Sequence, residues 1–126
     1  MYSDFDVIHT YSRKEAISDG VLVDLSINFP EAGRLFKHPV ACTSAVWALV
    51  EAAAENTRLH NTAAGIVWDL LYMSINGVTQ RISDSEHLFC VAIPGAGPHR
   101  NYILKANCGP SDDASPCITI MLEHED

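Results

Sequence analysis

His87-Leu88-Phe89-Cys90-Val91-Ala92-Ile93, Asn101-Tyr102-Ile103-Leu104-Lys105-Ala106-Asn107-Cys108 and Pro116-Cys117-Ile118-Thr119-Ile120-Met121-Leu122 are three short runs rich in Ile, Val, Leu and Phe. Turn-forming residues separate them: Pro94-Gly95-Ala96-Gly97-Pro98, then Gly109-Pro110-Ser111-Asp112-Asp113. β-Favouring runs bounded by Gly, Pro and Asp read as strands. Consecutive strands joined by short loops predict an antiparallel three-stranded meander in the C-terminal third. The tail Glu123-His124-Glu125-Asp126 is polar and predicted to fray.

Upstream of residue 83 the period lengthens. Residues 40–56 are alanine-rich, with Val46, Trp47, Val50 and Ala54 at helical spacing. Asn61 or Thr62 caps a second long helix, ending near Asn76-Gly77 or, past the glycine, near Arg81. Val67, Leu70, Leu71 and Ser74 form one stripe on it, and Trp68, Tyr72 and Ile75 form another. A helix so widely apolar is either central to the core or covered by a partner, and the core position is the expectation.

Ser12-Arg13-Lys14-Glu15 has the spacing of a capping box, so a short helix should run to Ser18 and stop at Asp19-Gly20. An extended segment, Val21-Leu22-Val23-Asp24-Leu25, follows. Asn28 and Pro30 suit a helical turn ended by Gly33, and His38-Pro39 enforces extended backbone. Residues 5–11 suit a first strand. The expected fold is therefore α+β: one domain over residues 1–126. Two long helices and short N-terminal helices pack on a three-stranded antiparallel sheet, with room for an added N-terminal strand.

The totals bound the function. A chain of 126 residues fits one core. Sixteen acids against eight bases give a net charge of −8, which argues against gripping nucleic-acid phosphate directly. Five of the acids, Asp112, Asp113, Glu123, Glu125 and Asp126, fall after residue 110, where no Lys or Arg occurs. They are the first candidates for a contact surface facing a basic partner. The start lacks a basic and apolar leader, and residues 62–78 are too interrupted for a membrane span, so a cytoplasmic location is expected.

No chemical motif survives weighing. Gly95-x-Gly97 precedes a strand rather than a helix and reads as a turn. The histidines at 9, 38, 60, 87, 99 and 124 lack zinc-site spacing, and Asp112-Asp113 suits a turn better than a calcium site. Cys42, Cys90, Cys108 and Cys117 lie in no nucleophile signature; Cys108 and Cys117 could face each other across a hairpin. No catalytic, cofactor or metal residue is assigned. His9, Tyr11, Arg13, Glu15, Asp19 and Asp24 hold enough acid, base and cation for a small site, and a solvated face has the same composition.

Several stretches resemble an uncharacterised family of small proteins carried by bacterial phages, plasmids and integrative elements. They are Tyr11-Ser12-Arg13 within residues 7–24, Asp19-Gly20-Val21-Leu22-Val23-Asp24, Pro39-Val40-Ala41-Cys42-Thr43-Ser44-Ala45-Val46-Trp47, and Gly109-Pro110-Ser111-Asp112-Asp113. The resemblance implies a mobile-element setting and carries no activity or site residues. It favours a non-enzymatic protein that binds a host complex, one that itself handles nucleic acid, as an anti-CRISPR or anti-restriction inhibitor does. The rivals are an enzyme or ligand-binding protein using the N-terminal polar cluster, and a homodimer through the Trp47 and Trp68 helices.

Overall fold

A computed structural model describes residues 11–125. Its elements are α1 (Arg13–Ser18), β1 (Leu22–Asp24), α2 (Leu25–Asn28), α3 (Pro30–Gly33), β2 (Val40–Thr43), α4 (Ser44–Glu55), α5 (Ala63–Asn76), β3 (Val78–Arg81), β4 (Glu86–Ala92), β5 (Asn101–Pro110) and β6 (Pro116–Leu122). The strand predicted over residues 5–11 falls almost entirely outside the described residues; only Tyr11 lies within them.

The three C-terminal strands form an antiparallel meander, β4–β5–β6. It is half of a larger sheet. The described residues make one six-stranded mixed sheet in the order β1-β2-β6-β5-β4-β3, so the expected three-stranded antiparallel sheet is incorrect. One of the additional strands lies where the sequence predicts helix, and another where only the longer of two predicted helix ends would reach. Val40-Ala41-Cys42-Thr43 falls in the first turn of the helix predicted over 40–56. Instead it runs parallel to β6, with Val40 opposite Ile118 and Cys42 opposite Ile120. Thr43 then ends the strand and starts the helix, its Oγ1 accepting the Val46 N–H at 3.3 Å.

The second long helix ends at Asn76, the first of its two predicted ends, and Gly77 shows why it goes no further. A side chain there would meet the Met73 methyl at 2.6 Å and the Cys90 carbonyl oxygen at 2.9 Å. Only glycine allows that approach, and the chain leaves α5 directly into β3 rather than continuing helically to Arg81. β1, the third addition, agrees with the predicted extended segment and pairs antiparallel with β2. The Ser12–Glu15 capping box forms, with both reciprocal hydrogen bonds present.

Strand alternation sends Phe89, Val91, Leu104, Ala106, Ile118 and Ile120 into one core with Val46 and Val50 of α4 and Val67, Leu70 and Leu71 of α5. The tail does not fray as far as residue 125. Glu125 Oε1 accepts from Thr43 Oγ1 at 2.8 Å and from the Leu122 N–H at 2.7 Å. The same register answers the cysteine question. Cys108 lies opposite Ile118 and Cys117 opposite Gly109, which directs the two thiols to opposite faces, and all four cysteines are free.

Leu70 is fully buried, whereas Ile75 on the same helix is 45% exposed. Leu70→Ala should therefore lower unfolding stability by about 2–5 kcal/mol in urea titrations. Ile75→Ala should stay within about 0.5 kcal/mol of the parent.

Candidate functional site

The N-terminal polar residues and the C-terminal acids meet in one cleft of about 440 Å³ on the sheet face opposite α4 and α5. Tyr11, Arg13, Thr43, Asp112 and Glu125 line it. The Tyr-Ser-Arg start, Val21 and Leu22, the Thr43-Ser44 junction and the Pro110-Ser111-Asp112 turn all border this cleft. The stretches that carry the family resemblance are thus distant in sequence and adjacent in space.

Their hydrogen bonds show what brings them together. Asp112 Oδ1 accepts the Arg13 N–H at 2.7 Å and Oδ2 accepts the Lys14 N–H at 3.0 Å. One carboxylate thereby satisfies two orphan donors at the start of α1, a cap supplied from a turn about a hundred residues away in the chain. The Arg13 guanidinium donates to Thr119 Oγ1 and to the Ile118 carbonyl, both at 2.7 Å. Helix α1 is clamped on the β5–β6 hairpin through both its backbone and its first side chain.

The remaining candidates separate. Asp24 Oδ1 caps α2 by accepting the Ile27 N–H at 3.0 Å and does not line the cleft. Glu15 completes the capping box, and Asp19 accepts from the Tyr11 hydroxyl at 2.7 Å. That hydrogen bond raises the Tyr11 pKa, with lesser contributions from desolvation and the nearby Asp19 and Glu15 charges, so the phenol stays protonated. Asp113 Oδ1 accepts from the Ser111 hydroxyl and from the Ser115 hydroxyl and N–H, holding the turn. Glu123 faces His124 at 3.9 Å on the surface. His9 and Asp126 lie outside the described residues. The cleft's carboxylates are occupied in holding three chain segments together, and its tyrosine is a poor base. Among the described residues no group of three or more His, Cys, Asp or Glu is placed to hold a metal ion.

A different surface leaves large aromatic side chains exposed. On α5 the Val67, Leu70, Leu71 and Ser74 stripe is buried, while Trp68 and Tyr72 are each 41% exposed. The expected central helix is instead a two-faced one. Trp68 stacks on Tyr72 with ring centroids 5.0 Å apart and planes 14° from parallel. Trp68 also borders two hollows. One, about 310 Å³, opens toward α2 and α3 and includes Phe29, Glu31 and Ala64. The other, about 410 Å³, opens toward the loop before α5 and includes His60 and Asp69. Trp47 lines neither hollow; its ring packs at 5.8 Å on Phe29, which lines the first. The helical spacing of Trp68, Tyr72 and Ile75 was readable in the sequence; Glu31 joins them only through the packing of α3 beside α5.

Two outcomes follow for the acidic turn. Replacing Asp112 by Ala should cost about 1–2 kcal/mol, as other lost caps do, and should speed hydrogen exchange at the Arg13 and Lys14 amides more than at Glu15. Asp113 is held below its ordinary 3.8, at about 2, chiefly by the Ser111 and then the Ser115 hydroxyl bonds. A carboxylate depressed by folding adds stability above its unfolded pKa and loses it as pH falls through the folded one. The Asp113→Asn variant should therefore show a flatter stability curve between pH 3.8 and about 2 in acid titrations.

Among the described residues no helix is long and apolar enough to cross a membrane. Comparison with curated proteins and with solved structures gave no match. A family model described as "Family of unknown function (DUF6573)" matches residues 1–126, the full length given, and the chain belongs to that family.

Proposed function

We propose that this protein acts by binding another protein rather than by catalysis, and that the outer face of α5 is its contact surface. The carrying observation is the exposed, mutually stacked pair Trp68 and Tyr72 beside two hollows. Tryptophan and tyrosine are the residues most enriched among those that dominate binding energy, because a rigid ring buries much area at little entropic cost. Both are 41% exposed on a helix whose other face is fully packed, which leaves aromatic area for a partner to bury.

The setting proposed is that of an accessory protein of a mobile element, and the target a host defence complex that handles nucleic acid. Two features support this: the family resemblance, and a net charge of −8, which suits approach to the basic surfaces such complexes present. Asp112, Asp113, Glu123, Glu125 and Asp126 contribute to that long-range attraction. Three of these acids, Asp112, Asp113 and Glu125, already accept hydrogen bonds within the chain. A partner would have to compete with those bonds, so their part is steering rather than contact.

Immobilised protein should retain a specific protein from host lysate, and a Trp68→Ala/Tyr72→Ala variant should lose at least tenfold of that retention. The surface variant Ile103→Ala, on β5, should retain it unchanged. Equal retention by parent and double variant would remove α5 as the contact surface.

A further inference from the structure

We infer that the partner meets α5 with one amphipathic segment that places apolar side chains on either side of Trp68 and sets Lys or Arg against Glu31 and Asp69. The inference rests on the protein-binding reading and names the partner's chemistry. Trp68 is a ridge between the two hollows, lining both. Stacking on Tyr72 holds its plane, so a ligand that straddles the ridge meets a preorganised surface. The stripe from Ala64 through Trp68 and Tyr72 to Ile75 spans about 16 Å of helix, the length of about three turns of a partner helix. Ile27, the most exposed large apolar residue described at 76%, immediately precedes Asn28 on the rim of the first hollow.

Charge decides what flanks the apolar anchors. One acid lines each hollow, Glu31 in the first and Asp69 in the second, and no Lys or Arg is among the described residues lining either. Neither acid forms an ion pair among the described residues, whose ion pairs are Lys105 with Glu86 and His124 with Glu123. Asp69 is the sole charged residue of α5. Arg34 and Lys37 line the adjoining depression, which shares Pro30 with the first hollow, and neither pairs with Glu31 among the described residues. An incoming Lys or Arg therefore finds unpaired carboxylates beside an aromatic face, which also attracts cations.

The same charges argue against a second copy as the occupant. A two-fold dimer through this face would bring Glu31 and Asp69 of both copies together, on chains each carrying −8. Four large apolar residues here, Ile27, Trp68, Tyr72 and Ile75, are 41–76% exposed, far fewer than the roughly 20–30 residues a side of a standard interface. That scale suits a single helix or strand-like segment.

The test uses Trp68 fluorescence in a Trp47→Phe background, with folding checked by circular dichroism. The probe is a synthetic helical peptide with leucines on one face and lysines on the other. Two control peptides replace its lysines by glutamates or its leucines by serines. A saturable blue shift is expected with the Leu/Lys peptide alone. The Glu31→Lys/Asp69→Lys variant should bind it at least tenfold more weakly. Glu51→Lys/Glu55→Lys changes net charge equally at exposed acids of α4 and should bind within twofold of the parent. Equal weakening by both charge variants would overturn the inference, as would comparable binding of the Leu/Glu peptide or a dimer mass by light scattering with Trp68 already shielded. If the Leu/Lys peptide fails to bind while a host protein is still captured through Trp68 and Tyr72, the proposed chemistry is wrong and the binding reading stands. If capture fails too, both fall.

Discussion

Strand β6 is hydrogen-bonded on both sides, and the rest of the molecule depends on that. On one edge it completes the antiparallel meander with β5, and on the other it runs parallel to β2. The parallel pairing joins two halves of the chain that local sequence signals treat as separate. It also places Thr43, the last residue of β2, where its hydroxyl can cap α4 while donating to Glu125 just beyond β6. The launch of the first long helix and the anchoring of the C-terminus are thus one hydrogen-bonded unit.

The sheet's two faces then diverge in character. One is dry, filled by α4 and α5. On the other, Arg13 and Asp112 clamp α1 onto the β5–β6 hairpin, and Lys105 donates to the Glu125 carbonyl. Polar groups there are consumed by each other, because a cap or guanidinium bond left unmade at a half-buried position costs more than it returns when formed. A cluster that looks in sequence like the makings of an active site is mostly the fastening of a short helix. Exposed aromatic area instead remains on the outer half of α5, whose inner half already supplies the core, and that face is the proposed contact surface.

Much of the local structure was legible. The Ser12–Glu15 capping box, the β4–β5–β6 meander and the extended segment at β1 each rest on signals within a few residues. What was missed shares one cause. Val40-Ala41-Cys42-Thr43 is short and apolar, and such a run before a helix reads equally well as its first turn. Val78-Thr79-Gln80-Arg81 is exposed at every position, so it lacks the alternation that marks a half-buried strand. Both became strands because a neighbouring strand offered a ladder, which is a property of the assembled sheet. The Trp68 stripe was visible by spacing, yet which of two apolar stripes faces inward depends on where the sheet lies.

The sequence by itself determined the acidic charge, the caps that start α1 and the turns that separate the last three strands. Tertiary structure alone decided the mixed six-stranded order, the convergence of the Tyr11-Ser12-Arg13 and Gly109-Pro110-Ser111-Asp112-Asp113 stretches, and the exposure of Trp68 and Tyr72. The physical reason is range. Caps, turns and periodicity are set by neighbours within about four residues, whereas strand pairing, the Asp112 clamp and the burial of one helix face over another are set by segments up to a hundred residues apart.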